Sequence, residues 1–160
     1  MLETLTLRMK RPKEAEAKIT HFRLQGLLPQ NQTLALNLST RTLSLLAEGP
    51  QQIMEQQFSA NEMRMMIPII ESFPHYCPYE VLLSYISTNN VTPASIARSR
   101  QCLQEALSCG TWQQELRPVR RALSSLRSKL HNFDLEISTI RQRGCSITSL
   151  TSLPRSLTHF

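Results

Sequence analysis

Glycine is scarce in this chain, at four residues among 160. None lies in a run that could wrap a phosphate, and no strand–helix–strand repeat is visible, which argues against nucleotide-fold chemistry. Cysteine is equally sparse. Cys77, Cys102, Cys109 and Cys145 form no CxxC pair and have no histidine at zinc-finger spacing. They are expected to be reduced thiols, not a metal site or a disulfide framework. Cys145 stands near Arg143, and a neighbouring cation can lower a thiol's pKa, but the simpler reading is a small hydrophobe. Histidine is scattered: His21, His75, His131 and His159 fall on separate stretches, away from cysteine and carboxylate at useful spacing. No constellation of nucleophile, base and oxyanion donor emerges, so the chain is expected not to be an enzyme and to need no cofactor or metal. Long apolar runs are missing too. The longest, 65–70, is broken by Pro68, whereas a membrane span needs about 20 apolar residues. The basic residues near the N-terminus precede no apolar segment, so no signal peptide is expected. These absences imply a cytoplasmic protein with no membrane partner.

What is present is positive charge, unevenly spread. Eighteen Lys and Arg against twelve Asp and Glu give a net charge of +6. Nine basic and four acidic residues fall between Arg98 and Arg143, so nearly the whole excess lies in the C-terminal half. A localised surplus of this kind points to a polyanion surface.

Hydrophobic periodicity orders the chain. Leu5, Leu7 and Met9 alternate weakly, and 10–18 is polar. From Ile19 to Leu46 the period is two: Phe22 and Leu24, then Leu34, Leu36 and Leu38, then Leu43 and Leu45, with turns at Pro29-Gln30 and 39–41. That predicts strands with one buried face. After Phe58 the period becomes 3.6 residues, as in an α-helix. Ser59 and Glu62 form a capping box, and Met63, Met66, Ile67 and Ile70 make a stripe ending near Phe73-Pro74. Pro78 opens a second helix with Val81, Leu82, Tyr85 and Ile86 as its apolar residues. Thr92-Pro93 opens a third, with Ile96, Cys102, Leu103, Ala106 and Leu107 inward and Gly110 beyond its end. A fourth begins near Pro118. Leu135, Ile137 and Ile140, then Cys145 and Ile147, predict a terminal hairpin turning at 142–144.

The fourth helix carries the functional argument. Val119, Leu123, Leu126 and Leu130 form one narrow apolar stripe. Opposite it lie Arg117, Arg121, Ser124 and Ser128, with Arg120 and Arg127 on one flank and Lys129 on the other. No acidic residue interrupts 117–129. An ordinary surface helix mixes Glu with Lys or Arg, because such pairs contribute a few tenths of a kcal/mol each. Arg can read guanine with both prongs of its fork, Ser can bond several base edges, and flanking cations can meet phosphates. The alternative is a solvated basic face on a core helix. Arg141 and Arg143 at the following hairpin tip, with Thr139 just before, add the charge arrangement of an element entering a narrow minor groove.

LSSLRSKL (123–130) and ISTIRQRGCSI (137–147) resemble the recognition helix and wing of the OmpR/PhoB-type output domain, whose pattern is close to IxxLRxKL followed by TVRGxGYxx. Leu126, Arg127, Lys129 and Leu130 fill the first part; Thr139, Ile140, Arg141 and Gly144 fill the second. FSANEMRMM (58–66) resembles the family's LTxxExxLL helix start, and 79–83 its second helix. The strands over 19–46 stand where the family has a four-stranded antiparallel sheet. The likeness covers roughly 19–150. It implies an α+β fold: a winged helix-turn-helix with an N-terminal antiparallel sheet, three to four helices and a C-terminal hairpin wing. The receiver domain that usually precedes such a module has no room in this chain and no acidic cluster to represent it, so a stand-alone regulator is expected, with 1–18 an extension and the Ser/Thr-rich 151–160 a flexible tail. Arg117, Arg121, Ser124 and Ser125 would face the major groove. Arg127 and Thr139 would contact phosphates, and Arg141 would lead the wing. Arg120, Ser128, Lys129 and Arg143 complete the expected DNA-binding set.

Three departures from the family matter. Its wing Gly is Gln142 here and its Tyr is Cys145, which implies a differently packed wing. Its acidic and His positions early in the helix are Arg120 and Ala122, so the DNA sequence preferred should differ. About thirty residues (87–116) replace the short loop that touches RNA polymerase in the family, which implies a partner or dimer surface there. The partners expected are therefore double-stranded DNA, with RNA polymerase and a second copy on DNA as further candidates, in a nucleoid-associated cytoplasmic protein. The rival class is a winged-helix protein-interaction module that has lost DNA binding, using the Met-rich helix at 63–66 or the helix at Thr92.

Overall fold

Four leucines decide the first sheet. In the computed structural model, which describes residues 19–48 and 51–150, Leu34 stands opposite Leu45 and Leu36 opposite Leu43, and all four are buried. They belong to β2 (Thr33–Asn37) and β3 (Thr42–Ala47), flanked by β1 (Ile19–Phe22) and β4 (Gln51–Gln57) in the antiparallel order β1-β2-β3-β4. Leu38, expected on the buried face, is 44% exposed. The strand has already ended, because the Asn37 side chain accepts the Ser39 N–H at 3.0 Å and Arg41 takes a positive φ of 55°. Leu24 likewise leaves the strand, at φ 48°. The fourth strand, QQIMEQQ, has no apolar alternation to announce it. It is held by its ladder to β3, with a register shift between Leu45 and Leu46. The alternation at Leu5, Leu7 and Met9, the extension 1–18 and the tail 151–160 lie outside the described residues.

The chain forms two compact units, Met1–Phe58 and Ser59–Phe160. The division falls where the hydrophobic period changes from strand to helix, within the stretch 19–150 that the chain length and the family likeness treat as one domain.

Among its described residues the second unit holds five helices and a hairpin. Helix α1 (Ala60–Ser72) starts with the expected capping box: Ser59 accepts from the Glu62 N–H, and Glu62 accepts from the Ser59 N–H at 2.7 Å. Its buried face is broader than the stripe read from sequence. Met65 and Ile69 are buried beside Met63, Met66 and Ile70, whereas Ile67 is half-buried. Helix α2 (Tyr79–Ser87) buries Tyr79, Leu82, Leu83 and Ser84, leaving Val81, Tyr85 and Ile86 half-buried.

Helix α3 (Pro93–Cys109) has a Thr92 cap, Pro93 in its first turn and Gly110 in the left-handed conformation at its end. Its buried stripe is Ser95, Ser99, Leu103 and Ala106, while Cys102 and Leu107 are exposed. The hydroxyls of Ser84 and Ser95 lie 2.7 Å apart. Small side chains let α3 approach α2 closely, and a reading that follows only apolar residues overlooks them. A short helix, α4 (Trp112–Glu115), precedes α5 (Arg117–Leu130). In α5, Val119, Leu123, Leu126 and Leu130 are all buried, as the stripe predicts, together with Ala122. No described helix is long and apolar enough to cross a membrane.

After a 3-10 turn, β6 (Leu135–Ile140) and β7 (Gly144–Ser149) make the hairpin, and the two-residue β5 (Cys77–Pro78) adds a third antiparallel strand in the order β5-β7-β6. The extra strand depends on Gly144. A Cβ built there would stand 2.0 Å from the Cys77 carbonyl oxygen, so the two backbones meet only without a side chain. The hairpin turn is closed by the Arg143 N–H donating to Ile140 O at 3.0 Å, with Gln142 at φ 60°. A residue with a Cβ is strained in that conformation and glycine is not.

Gly144→Ala should therefore cost about 3 kcal/mol, the upper end for an overpacked site, whereas Gln142→Gly should be neutral or stabilising. Urea unfolding midpoints compare them. Equal stability of wild type and Gly144→Ala would contradict the close approach.

Candidate nucleic-acid interface

Two flanks of α5 are pinned, and the pinning sets which side chains remain outside. At about 100° per residue, Ser125 and Lys129 share one flank. There the Lys129 ammonium donates to Glu62 at 2.7 Å, and the Ser125 hydroxyl donates to the other oxygen of the same carboxylate. Glu62 is only 3% exposed. Burial would raise its pKa, but the hydrogen bonds from Lys129, Ser125 and the Ser59 N–H, with the Lys129 charge, outweigh it and hold the carboxyl at about 2. These two residues, expected to face DNA, instead lock α5 to α1.

On the other flank, Arg127 Nε lies 3.0 Å from Glu136 Oε1, and its guanidinium donates to the Ile137 carbonyl at 3.0 Å. Glu136 also holds His131, at 2.9 Å. Arg127, expected to contact phosphate, thus ties α5 to β6.

The remaining residues of the expected set are exposed: Arg117, Arg120, Arg121, Ser124 and Ser128 on α5, Thr139 on β6, and Arg141 and Arg143 in the hairpin turn. Among the described residues none of the five arginines in this group joins an ion pair. Arg117, Arg120 and Arg121 also crowd the first turns of α5, where no acidic side chain is found. The helix dipole disfavours cations there by about 0.3–1 kcal/mol each. Folding gives these charges no reward.

A groove of about 530 Å³ runs between α5 and the hairpin. Arg120, Ser124, Arg127, Thr139 and Arg141 line it, as expected residues brought together; Arg117, Arg121, Ser128 and Arg143 do not. Periodicity missed Tyr79, Trp112 and Gln142, which also line it. Trp112 meets Tyr79 edge-on, with ring centroids 6.1 Å apart. A lone tryptophan in a polar stretch was the available signal.

All four cysteines are free, and Cys77 faces Cys145 across the β5–β7 ladder. Burial pushes the Cys77 thiol to about 12 and the Cys145 thiol to about 11. Both behave as small core residues, and the Arg143 neighbourhood does not activate Cys145. Among the described residues no group of three His, Cys, Asp or Glu is arranged to hold a metal. No family model, curated protein or solved structure matches this chain.

The lowered Glu62 pKa has a thermodynamic consequence. Its stabilisation is complete above the ordinary value of 4.5 and is lost as pH falls towards about 2. Between pH 5 and 2 the wild type should lose on the order of 2–3 kcal/mol from this group. Glu62→Gln should be less stable at neutral pH and lack that increment. Parallel stability–pH curves for the two proteins would rule this out.

Proposed function

We propose that residues 59–150 act as a winged-helix module of the OmpR/PhoB kind, binding double-stranded DNA sequence-specifically to regulate transcription. Helix α5 enters the major groove and the β6–β7 turn is a wing reaching into the minor groove. The observation that carries this reading is the set of five exposed arginines, Arg117, Arg120, Arg121, Arg141 and Arg143, on one helix and the turn beside it, without a carboxylate partner among the described residues. Cations that gain nothing from the fold and repel one another gain from a polyanion. The front of α5, with Arg117, Arg121, Ser124 and Ser128, offers forked donors and short hydroxyls to base edges. Thr139 and Arg120 remain for phosphates.

A second reading is supported by α3. Leu107 is 52% exposed there, and Cys102 and Cys109 are exposed on the same helix. That surface suits a protein partner, with RNA polymerase or a second copy on DNA as candidates. Such docking could accompany DNA binding or replace it.

Binding to random and selected duplexes, followed by fluorescence anisotropy over a salt series, separates the two. Affinity should fall steeply with salt, by close to one unit of log–log slope for each phosphate neutralised. Arg121→Ala should weaken the selected site by about tenfold or more and relax its sequence preference, whereas Arg141→Ala should weaken all duplexes. If neither substitution alters duplex binding, this reading is wrong and the interaction module stands.

A further inference from the structure

The groove beside α5 holds more than a face for duplex DNA requires. Of the α5 front only Ser124 lines it; Arg117, Arg121 and Ser128 lie outside, and a duplex resting on them needs no cavity. The groove's volume, about 530 Å³, falls within the roughly 300–1,000 Å³ of small-molecule sites. Its lining joins two recognition chemistries. Arg120 and Arg141 bring exposed guanidiniums without a carboxylate partner. Arg127, held by Glu136 and the Ile137 carbonyl, forms a fixed part of the wall. Trp112 supplies a half-buried indole whose tilt is set by the 83° edge contact with Tyr79. The Gln142 amide borders both parts.

We propose that this groove binds a small anion built on a flat ring, an aromatic carboxylate or phosphate, with its ring against Trp112 and its anionic group on Arg120 and Arg141. A guanidinium takes either oxyanion through two parallel hydrogen bonds, and the indole face takes either ring. Because Arg120 and Arg141 are also assigned to DNA, the ligand and DNA exclude one another, which would make the ligand an effector. That consequence rests on the DNA reading; the binding itself does not.

Trp112 is the only tryptophan in the chain, so its emission reports on this groove alone. The full-length protein is titrated with nicotinate and with GMP, which carry the ring with a carboxylate or a phosphate. Acetate and ribose 5-phosphate serve as ringless controls. Saturable quenching by at least one ring-bearing anion, and which one, is the expected result and identifies the oxyanion. Arg120→Ala and Arg141→Ala, both at exposed positions with the fold checked by circular dichroism, should each weaken it by about tenfold or more. No saturable change with either ring, unaltered affinity in both variants, or equal binding of the ringless controls by calorimetry would overturn the proposal. Addition of duplex DNA then tests exclusion. Ligand binding by a protein that binds no DNA retains the groove and removes the DNA reading; DNA binding without ligand does the reverse.

Discussion

Glu62 stands where α1 meets α5, and much of the second unit depends on its satisfaction. A carboxylate removed from water costs several kcal/mol unless its oxygens are fully paired. Here one oxygen accepts from the Ser59 N–H and Lys129, the other from Ser125. The same side chain therefore caps α1, through Ser59, and fixes the roll of α5. Breaking one partner would leave a buried charge uncompensated, so rotation of α5 about its axis is strongly opposed. Arg127 opposes it from the other flank by gripping Glu136 and the β6 backbone. With both flanks held and the leucine stripe buried, the front of α5 is left with no freedom but to face outward.

The cations of this region thus divide by what holds them. Arg127 and Lys129 are consumed by the fold, and their neighbours in sequence are not. Arg117, Arg120 and Arg121 stand at the helix end whose dipole repels them, and Arg141 and Arg143 sit in a turn whose central residue, Gln142, has positive φ. Each is a local disagreement between residue and structure. Such disagreements collect where a sequence answers to a ligand as well as to its own stability. Their concentration on one helix and one turn, beside a well-satisfied interior, is the physical ground on which the proposed DNA-binding surface rests.

Much of this was legible in the residues. The leucine stripe of α5, the capping box at Ser59, the Thr92-Pro93 helix start and the hairpin follow from local periodicity and cap chemistry, which require only near neighbours in sequence. The elements that escaped depend on distant partners. Strand β4 is polar and exists through β3; β5 is two residues long and exists because Gly144 has no Cβ. Helix α3 buries serines, which periodicity of apolar residues cannot count. For the site, the basic face and the turn could be read, but the roles of Ser125 and Lys129 could not. Their partner lies 63 and 67 residues away, and no local pattern distinguishes a pinned lysine from an exposed one.

The thirty residues between α2 and α5 then take on a different meaning from an appended loop. Helix α3 is fastened to α2 by the Ser84–Ser95 contact, Leu103, Ala106 and the Arg100–Glu80 ion pair at 2.8 Å. Gly110 reverses the chain in the left-handed conformation, which releases α4 to pack against both α3 and α5. The end product of that path is Trp112, set edge-on to Tyr79 in the wall of the groove beside Arg120 and Arg141. These residues thereby add an indole to a groove wall that Tyr79, Ser124, Thr139, Gln142 and the arginines also line.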